Sequence, residues 1–102
     1  MALGAPIAIA ALQAKTDAGN TSAKILTFDV NTETAQAIKD GQILLAIDQQ
    51  PYVQGFMSVA ALWLSITNGN DIGGGGPVLT GPSVVDQSNI DAILPFAQNN
   101  RR

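Results

Sequence analysis

The apolar positions of this sequence fall into short dense runs and longer mixed ones, and the two kinds predict different elements. Lys24-Ile25-Leu26-Thr27-Phe28 is a β-branched and aromatic run that stops at Asp29, and Ile43-Leu44-Leu45-Ala46-Ile47 is a second that stops at Asp48-Gln49-Gln50. Runs of this length without polar alternation read as strands buried on both faces, so strands are expected over 24–28 and 43–48. Between them Asn31 or Thr32 can cap a helix that continues to Lys39, with Gly41 just beyond its end. Strand, helix and strand within about 25 residues make a βαβ unit. Its strands must run parallel and its crossover must be right-handed.

Upstream, residues 3–18 are rich in Ala, Leu and Gln and close on Asp17-Ala18-Gly19-Asn20, which predicts a helix ended by a left-handed glycine. Downstream, Pro51 suits the first turn of a helix over 51–67. Wound as a helix, Gln54, Ser58, Ala61 and Ser65 share one narrow line, while Phe56, Met57, Val59, Leu62, Trp63, Leu64 and Ile66 fill most of the remaining circumference. Such a helix is expected to be buried on nearly all sides. The rest of the sequence is too short to cover it, so it should pack against further polypeptide or a second copy of the chain. Phe56 and Trp63 accordingly read as packing residues rather than a stacking platform for a ligand. Tyr52, at the start of the helix, fits either role.

Gly73-Gly74-Gly75-Gly76 follows this helix and leads into the extended Val78-Leu79-Thr80, whereas a phosphate cradle leads from a strand into a helix start. The glycines therefore read as a flexible linker. Val84-Val85 is another extended piece, and Ser88-Asn89-Ile90-Asp91 resembles a capped helix start that Pro95 should soon interrupt.

Composition narrows the chemistry. At 102 residues, 46% hydrophobic and 13% charged, the chain is one folding unit and too apolar for disorder. Its net charge is -3, and apart from Arg101 and Arg102 its only cations are Lys15, Lys24 and Lys39, so a nucleic-acid partner is not expected. Histidine and cysteine are absent, which removes zinc ligands, thiol nucleophiles and any Ser-His-Asp arrangement. Neither a metal nor a cofactor is expected. The apolar run Val53–Ile66 is interrupted by Gln54, Ser58 and Ser65 and is too short to span a bilayer. No Lys or Arg precedes the apolar start Met1–Ala14, which argues against a secretory signal.

Two parallel strands of one βαβ unit end at the same edge of the sheet, and there the sequence places Asp29 on one strand and Asp48, Gln49 and Gln50 on the other. Ligands of open α/β sheets bind outside the carboxyl ends of the strands. A carboxylate that accepts several hydrogen bonds beside an amide that both donates and accepts suits a neutral polyhydroxylated ligand such as a sugar. Capping competes with this reading for Asp29, which lies just before a helix. Asp29 and Asp48 as a hydrolytic or magnesium-binding carboxylate pair rests on nothing more than two acidic strand ends, so no enzyme is expected.

The runs Met1-Ala2-Leu3-Gly4-Ala5, Thr27-Phe28-Asp29, Ala37-Ile38-Lys39-Asp40-Gly41, Ala46-Ile47-Asp48-Gln49-Gln50-Pro51-Tyr52-Val53-Gln54-Gly55 and Leu79-Thr80-Gly81-Pro82 resemble the last third of the periplasmic sugar-binding proteins of ABC importers, of the type I, ribose-binding-protein-like kind. That resemblance implies a partial flavodoxin-like α/β sheet with flanking helices. It implies that Asp29 and Gln49 hydrogen-bond sugar hydroxyls; Asp48, Gln50 and Tyr52, at or beside the same polar cluster, are candidate ligand or hinge residues. It divides the chain into 1–49 in a second lobe, 50–72 as hinge and helix of a first lobe, and 73–102 as the return. The parent would be periplasmic, deliver a sugar or related polyol to a membrane permease, and extend beyond these residues. The piece itself is then expected to lack a signal peptide, to bind no sugar alone and to form a homodimer. Two other readings stay open: the effector core of a LacI-like repressor, which shares the fold, and a structural oligomer without a ligand.

Overall fold

Thr34 answers Asn31 at the start of the first helix of the βαβ unit. In the computed structural model, which describes residues 1–102, Asn31 Oδ1 accepts the Thr34 N–H at 2.8 Å and Thr34 Oγ1 accepts the Asn31 N–H at 2.9 Å. This reciprocal pair satisfies donors that a helix cannot satisfy itself. The helix they open, Thr32–Lys39, crosses between strands Leu26–Phe28 (β1) and Leu45–Asp48 (β2), which pair in parallel with Phe28 opposite Ile47. In chain order the helices are α1 (Ala5–Asp17), α2 (Thr32–Lys39), α3 (Pro51–Asn68) and α4 (Ile90–Gln98).

The sheet has three strands in the order β1-β2-β3, and β3 (Ser83–Asp86) runs antiparallel to β2 with Val85 opposite Ala46. The hydrophobic pattern showed an extended Val84-Val85 but carried no sign of its direction. Ala2 closes the free edge of β1, donating to Leu26 O at 2.7 Å and accepting from Phe28 N at 3.2 Å.

Side chains alternate across a sheet, and the row Thr27, Ala46 and Val85 is wholly buried. Ala8 of α1, Ala35 and Ile38 of α2, and Ile90 and Ala97 of α4 belong to the core that covers that row. The opposite row, Phe28, Ile47 and Val84, is only partly covered, and Val84 is 49% exposed. The strands are therefore buried on one face, against the expectation of two, because no helix of this chain lies on the second.

α4 departs from expectation as well, since Pro95 lies inside it. A mid-helix proline forfeits one hydrogen bond. Packing of α4 on α2 and β3, with Ile90 and Ala97 buried, holds the helix together across that gap. Nor does Asn89 cap it. Its amide donates to Val84 O at 2.9 Å and its oxygen accepts from Asp86 N at 3.0 Å, which ties the turn to β3.

α3 begins at Pro51 as expected and ends at Gly69, whose φ of 66° suits a residue without a side chain. None of its residues is buried, as expected of a helix that the rest of the chain is too short to cover. Phe56 is 65%, Val59 70%, Trp63 60% and Ile66 82% exposed. The chain measures 58 × 24 × 20 Å with a radius of gyration of 16.8 Å, against about 13 Å for a compact domain of this length. Its accessible surface is 6505 Å², where a compact monomer of this mass shows about 5,400 Å². α3 projects from the sheet body: Ile72, Val78 and Thr80 of the returning segment lie beside Met57, Ser58 and Ala61, and the face of Phe56, Val59, Trp63 and Ile66 is left uncovered.

Candidate functional site

Asp29 follows β1 directly and takes a left-handed conformation with φ of 64°. Its N–H donates to Ile47 O at 3.0 Å, extending the β1–β2 pairing by one rung. Aspartate tolerates this backbone region better than most residues, yet the conformation still has a cost. Capping does not account for it, because Asn31 and Thr34 supply the cap of α2. The half-buried Asp29 carboxylate takes part in none of the side-chain hydrogen bonds or ion pairs of the chain. It is an acceptor held at the carboxyl edge of the sheet without a partner.

Gln49 leaves the adjacent strand at the same edge, two residues beyond the Ile47 carbonyl that Asp29 engages, and is exposed. A shallow groove of ≈ 300 Å³ lies beside it, with Phe28 and Ile47 on one side and Leu79, Thr80 and Pro82 on the other. Gln49 lines this groove and Asp29 does not. The backbone of Gln49 is fixed from two directions: its carbonyl accepts from Gln54 Nε2 at 2.8 Å and from Thr80 Oγ1 at 3.2 Å.

Asp48 and Gln50 serve the chain itself. Asp48 is wholly buried on the helix-covered face. Its Oδ1 accepts the Gln50 N–H at 2.9 Å and its Oδ2 meets Arg102 Nη2 at 2.6 Å, an ionic contact without hydrogen-bond alignment. Asp29 and Asp48 therefore do not form a carboxylate pair open to a ligand. Gln50 is left-handed with φ of 57°, and its Nε2 donates to Thr80 O at 2.5 Å. These contacts join the two chain crossings, 48–51 and 80–83, that connect α3 to the sheet body. Gly81 allows them to lie close, because a Cβ there would stand 3.1 Å from Asp48 O. Tyr52 belongs elsewhere: it lies with Phe56 and Trp63 along the exposed apolar face of α3 and is 56% exposed.

Sequence reasoning missed Thr80, Gln54 and Arg102 at the crossings. The Asp-Gln-Gln-Pro run marked the first crossing, but nothing local to Thr80 or Arg102 tells which strand end each one meets.

No helix of the chain is long and apolar enough to cross a membrane. No protein-family model matches the chain, and among curated proteins no relative was found. Among solved structures it is similar to a carbohydrate transporter from Acidothermus cellulolyticus 11B, in complex with myo-inositol, at 56% sequence identity and a TM-score of 0.92. The match covers 98% of this chain and 35% of the transporter chain, so this chain spans about a third of that protein's length. Its ligand is a cyclic polyol, so the likeness does not single out ribose. A three-stranded α/β sheet with flanking helices, superimposable on one part of that transporter, is a partial periplasmic-binding-protein-like fold.

Proposed function

We propose that these residues are part of a solute-binding protein that captures a sugar or cyclic polyol outside the cytoplasm for an ABC importer and delivers it to the permease without chemical change. In this reading residues 1–49 belong to one lobe, 50–72 are the hinge and helix of the other, and 73–102 return to the first. Asp29 and Gln49 supply the ligand contacts from this part. Asp48 and Gln50 are hinge residues.

The observation that carries the proposal is the Asp29 carboxylate, which no other residue of the chain engages, borne on a strained backbone at the strand edge while another residue does the capping. Strain of this kind persists where the surrounding structure enforces it, and it concentrates at ligand sites. A hydroxyl-rich ligand satisfies such an acceptor. The likeness to a transporter solved with myo-inositol supports the same chemistry.

The test is a chimera in which residues 1–102 replace the matching part of the transporter chain, titrated with myo-inositol by calorimetry. Asp29→Ala is expected to weaken binding by about 1.5–3 kcal/mol, the range for hydrogen bonds to a charged acceptor. Unchanged affinity would remove Asp29 from the site.

The uncovered α3 supports a second, compatible statement about the 102 residues on their own: they pair with another copy through the face of Phe56, Val59, Trp63 and Ile66. The surface excess over a compact monomer is about 1,100 Å², more than the roughly 800 Å² each partner gives to a standard interface. Sedimentation is expected to show a dimer at micromolar concentration, and a compact 10.5 kDa species would refute it.

A further inference from the structure

The pair formed by Asp48 and Arg102 has no part in the proposed ligand contacts, and its place in the fold gives it another role. Asp48 is wholly buried, and the Arg102 side chain is only 19% exposed. Arg102 Nε has no hydrogen-bond partner, so the polar hold of this largely covered side chain on the sheet body is its ionic contact with Asp48 Oδ2. The other oxygen of the same carboxylate accepts the N–H of Gln50, the left-handed residue at which the chain turns out of β2 into α3. A buried carboxylate with one oxygen anchored by a cation has little freedom to swing, so its second oxygen is a fixed acceptor for that N–H.

We propose that Arg102 is a positioning residue: by clamping Asp48 it holds the turn at Gln50 and thereby sets the direction in which α3 leaves the sheet body. Two observations and one general property of buried ion pairs converge on this. α3 shares no extensive packing with any helix or strand, and beyond the crossings only the returning segment at Ile72 and Val78 lies beside it, so its direction is carried by the crossings and that segment and not by a core. A non-glycine residue with φ of 57° needs support, and Asp48 supplies it from the buried side while Thr80 supplies it from the other crossing. Buried ion pairs contribute little net stability but can select one geometry, which is the property a directional joint needs. The inference concerns the joint alone and stands or falls apart from the sugar-binding reading.

The chain has no cysteine, so Glu33→Cys on α2 and Ser65→Cys on α3 give a unique pair for nitroxide labels. Pulsed electron resonance on labelled chain diluted into excess unlabelled chain then reports the α2–α3 distance within one copy. Arg102→Gln is expected to broaden that distribution by about twofold, as loss of a geometry-selecting contact should. Arg101→Gln, which removes the same charge from an exposed neighbour, should leave it unchanged, and Arg102→Lys should restore part of the sharpness. An unaltered width in Arg102→Gln would overturn the proposal whatever happens to the melting temperature. Equal broadening in Arg101→Gln would also overturn it, since net charge and not the joint would then be responsible. Loss of the far-ultraviolet helix signal in Arg102→Gln would refute it too, by making the pair a requirement for folding.

Discussion

Ile38 and Ile66 are the same residue type on two helices of one chain, yet Ile38 is 0% exposed and Ile66 is 82% exposed. Around Ile38, α1, α2 and α4 share one buried row of the sheet. Around Ile66 there is only the rest of α3 and solvent. The difference is not one of hydrophobicity, because α3 is at least as apolar in its side chains as α2. It is one of connection: α2 is tied to neighbouring parallel strands at both ends and must lie back on the sheet, whereas α3 leaves β2 and returns as an antiparallel strand through a glycine-rich loop.

The two isoleucines should respond very differently to truncation. Ile38→Ala is expected to lower the unfolding free energy by about 3 kcal/mol, within the range for buried large-to-small changes. Ile66→Ala should change it by less than about 0.5 kcal/mol under dilute conditions where the chain is monomeric. Urea denaturation measures both, and a comparable loss from Ile66→Ala would mean that the α3 face is covered in solution.

The helix starts sharpen the contrast at a smaller scale. Asn31→Ala removes a reciprocal cap and should cost about 1 kcal/mol. Gln50→Gly at the start of α3 relieves a left-handed side chain while losing the bond to Thr80, and these opposed effects should leave stability within about 0.5 kcal/mol of the parent. A loss as large as that of Asn31→Ala would show the crossing to be as firmly built as the sheet body.

The smallest effect concerns the exposed ion pair that ties α2 to α4. Lys39 Nζ lies 2.8 Å from Asp91 Oδ1, and its pKa is raised above 10.5, first by the hydrogen bond and then by the charge of Asp91. A raised lysine pKa adds stability that is fully present below 10.5 and is lost as pH climbs through the higher folded value. Melting temperatures scanned upward through the lysine range should therefore fall slightly faster for the parent than for Asp91→Asn. Asp86 works in the other direction. Hydrogen bonds from Ser88 hold its pKa below 3.8, so its contribution is present above that value and fades as pH drops through the lower folded one. Neither shift involves α3, so both should be unaffected by substitutions on its apolar face.

Elements whose signals are local can be read from the residues alone. Asn31 before α2, Gly41 after it, Pro51 at the start of α3, and the two apolar runs ending at Asp29 and Asp48 each act within a few residues, so the parallel pair, its crossover helix and the polar strand ends were legible. The remaining features depend on how distant segments pack. Pro95 is tolerated because Ile90 and Ala97 are anchored against distant elements, and β3 runs antiparallel because the chain returns from α3 at the end of β2 where it left. Asp29 and Asp48 look alike in sequence. One is left unpartnered at the edge, and the other is buried beneath Arg102, which comes from the far end of the chain. Local pattern encodes which way a residue's own segment curls. It does not encode which distant side chain arrives to satisfy a charge, because that depends on how whole elements pack.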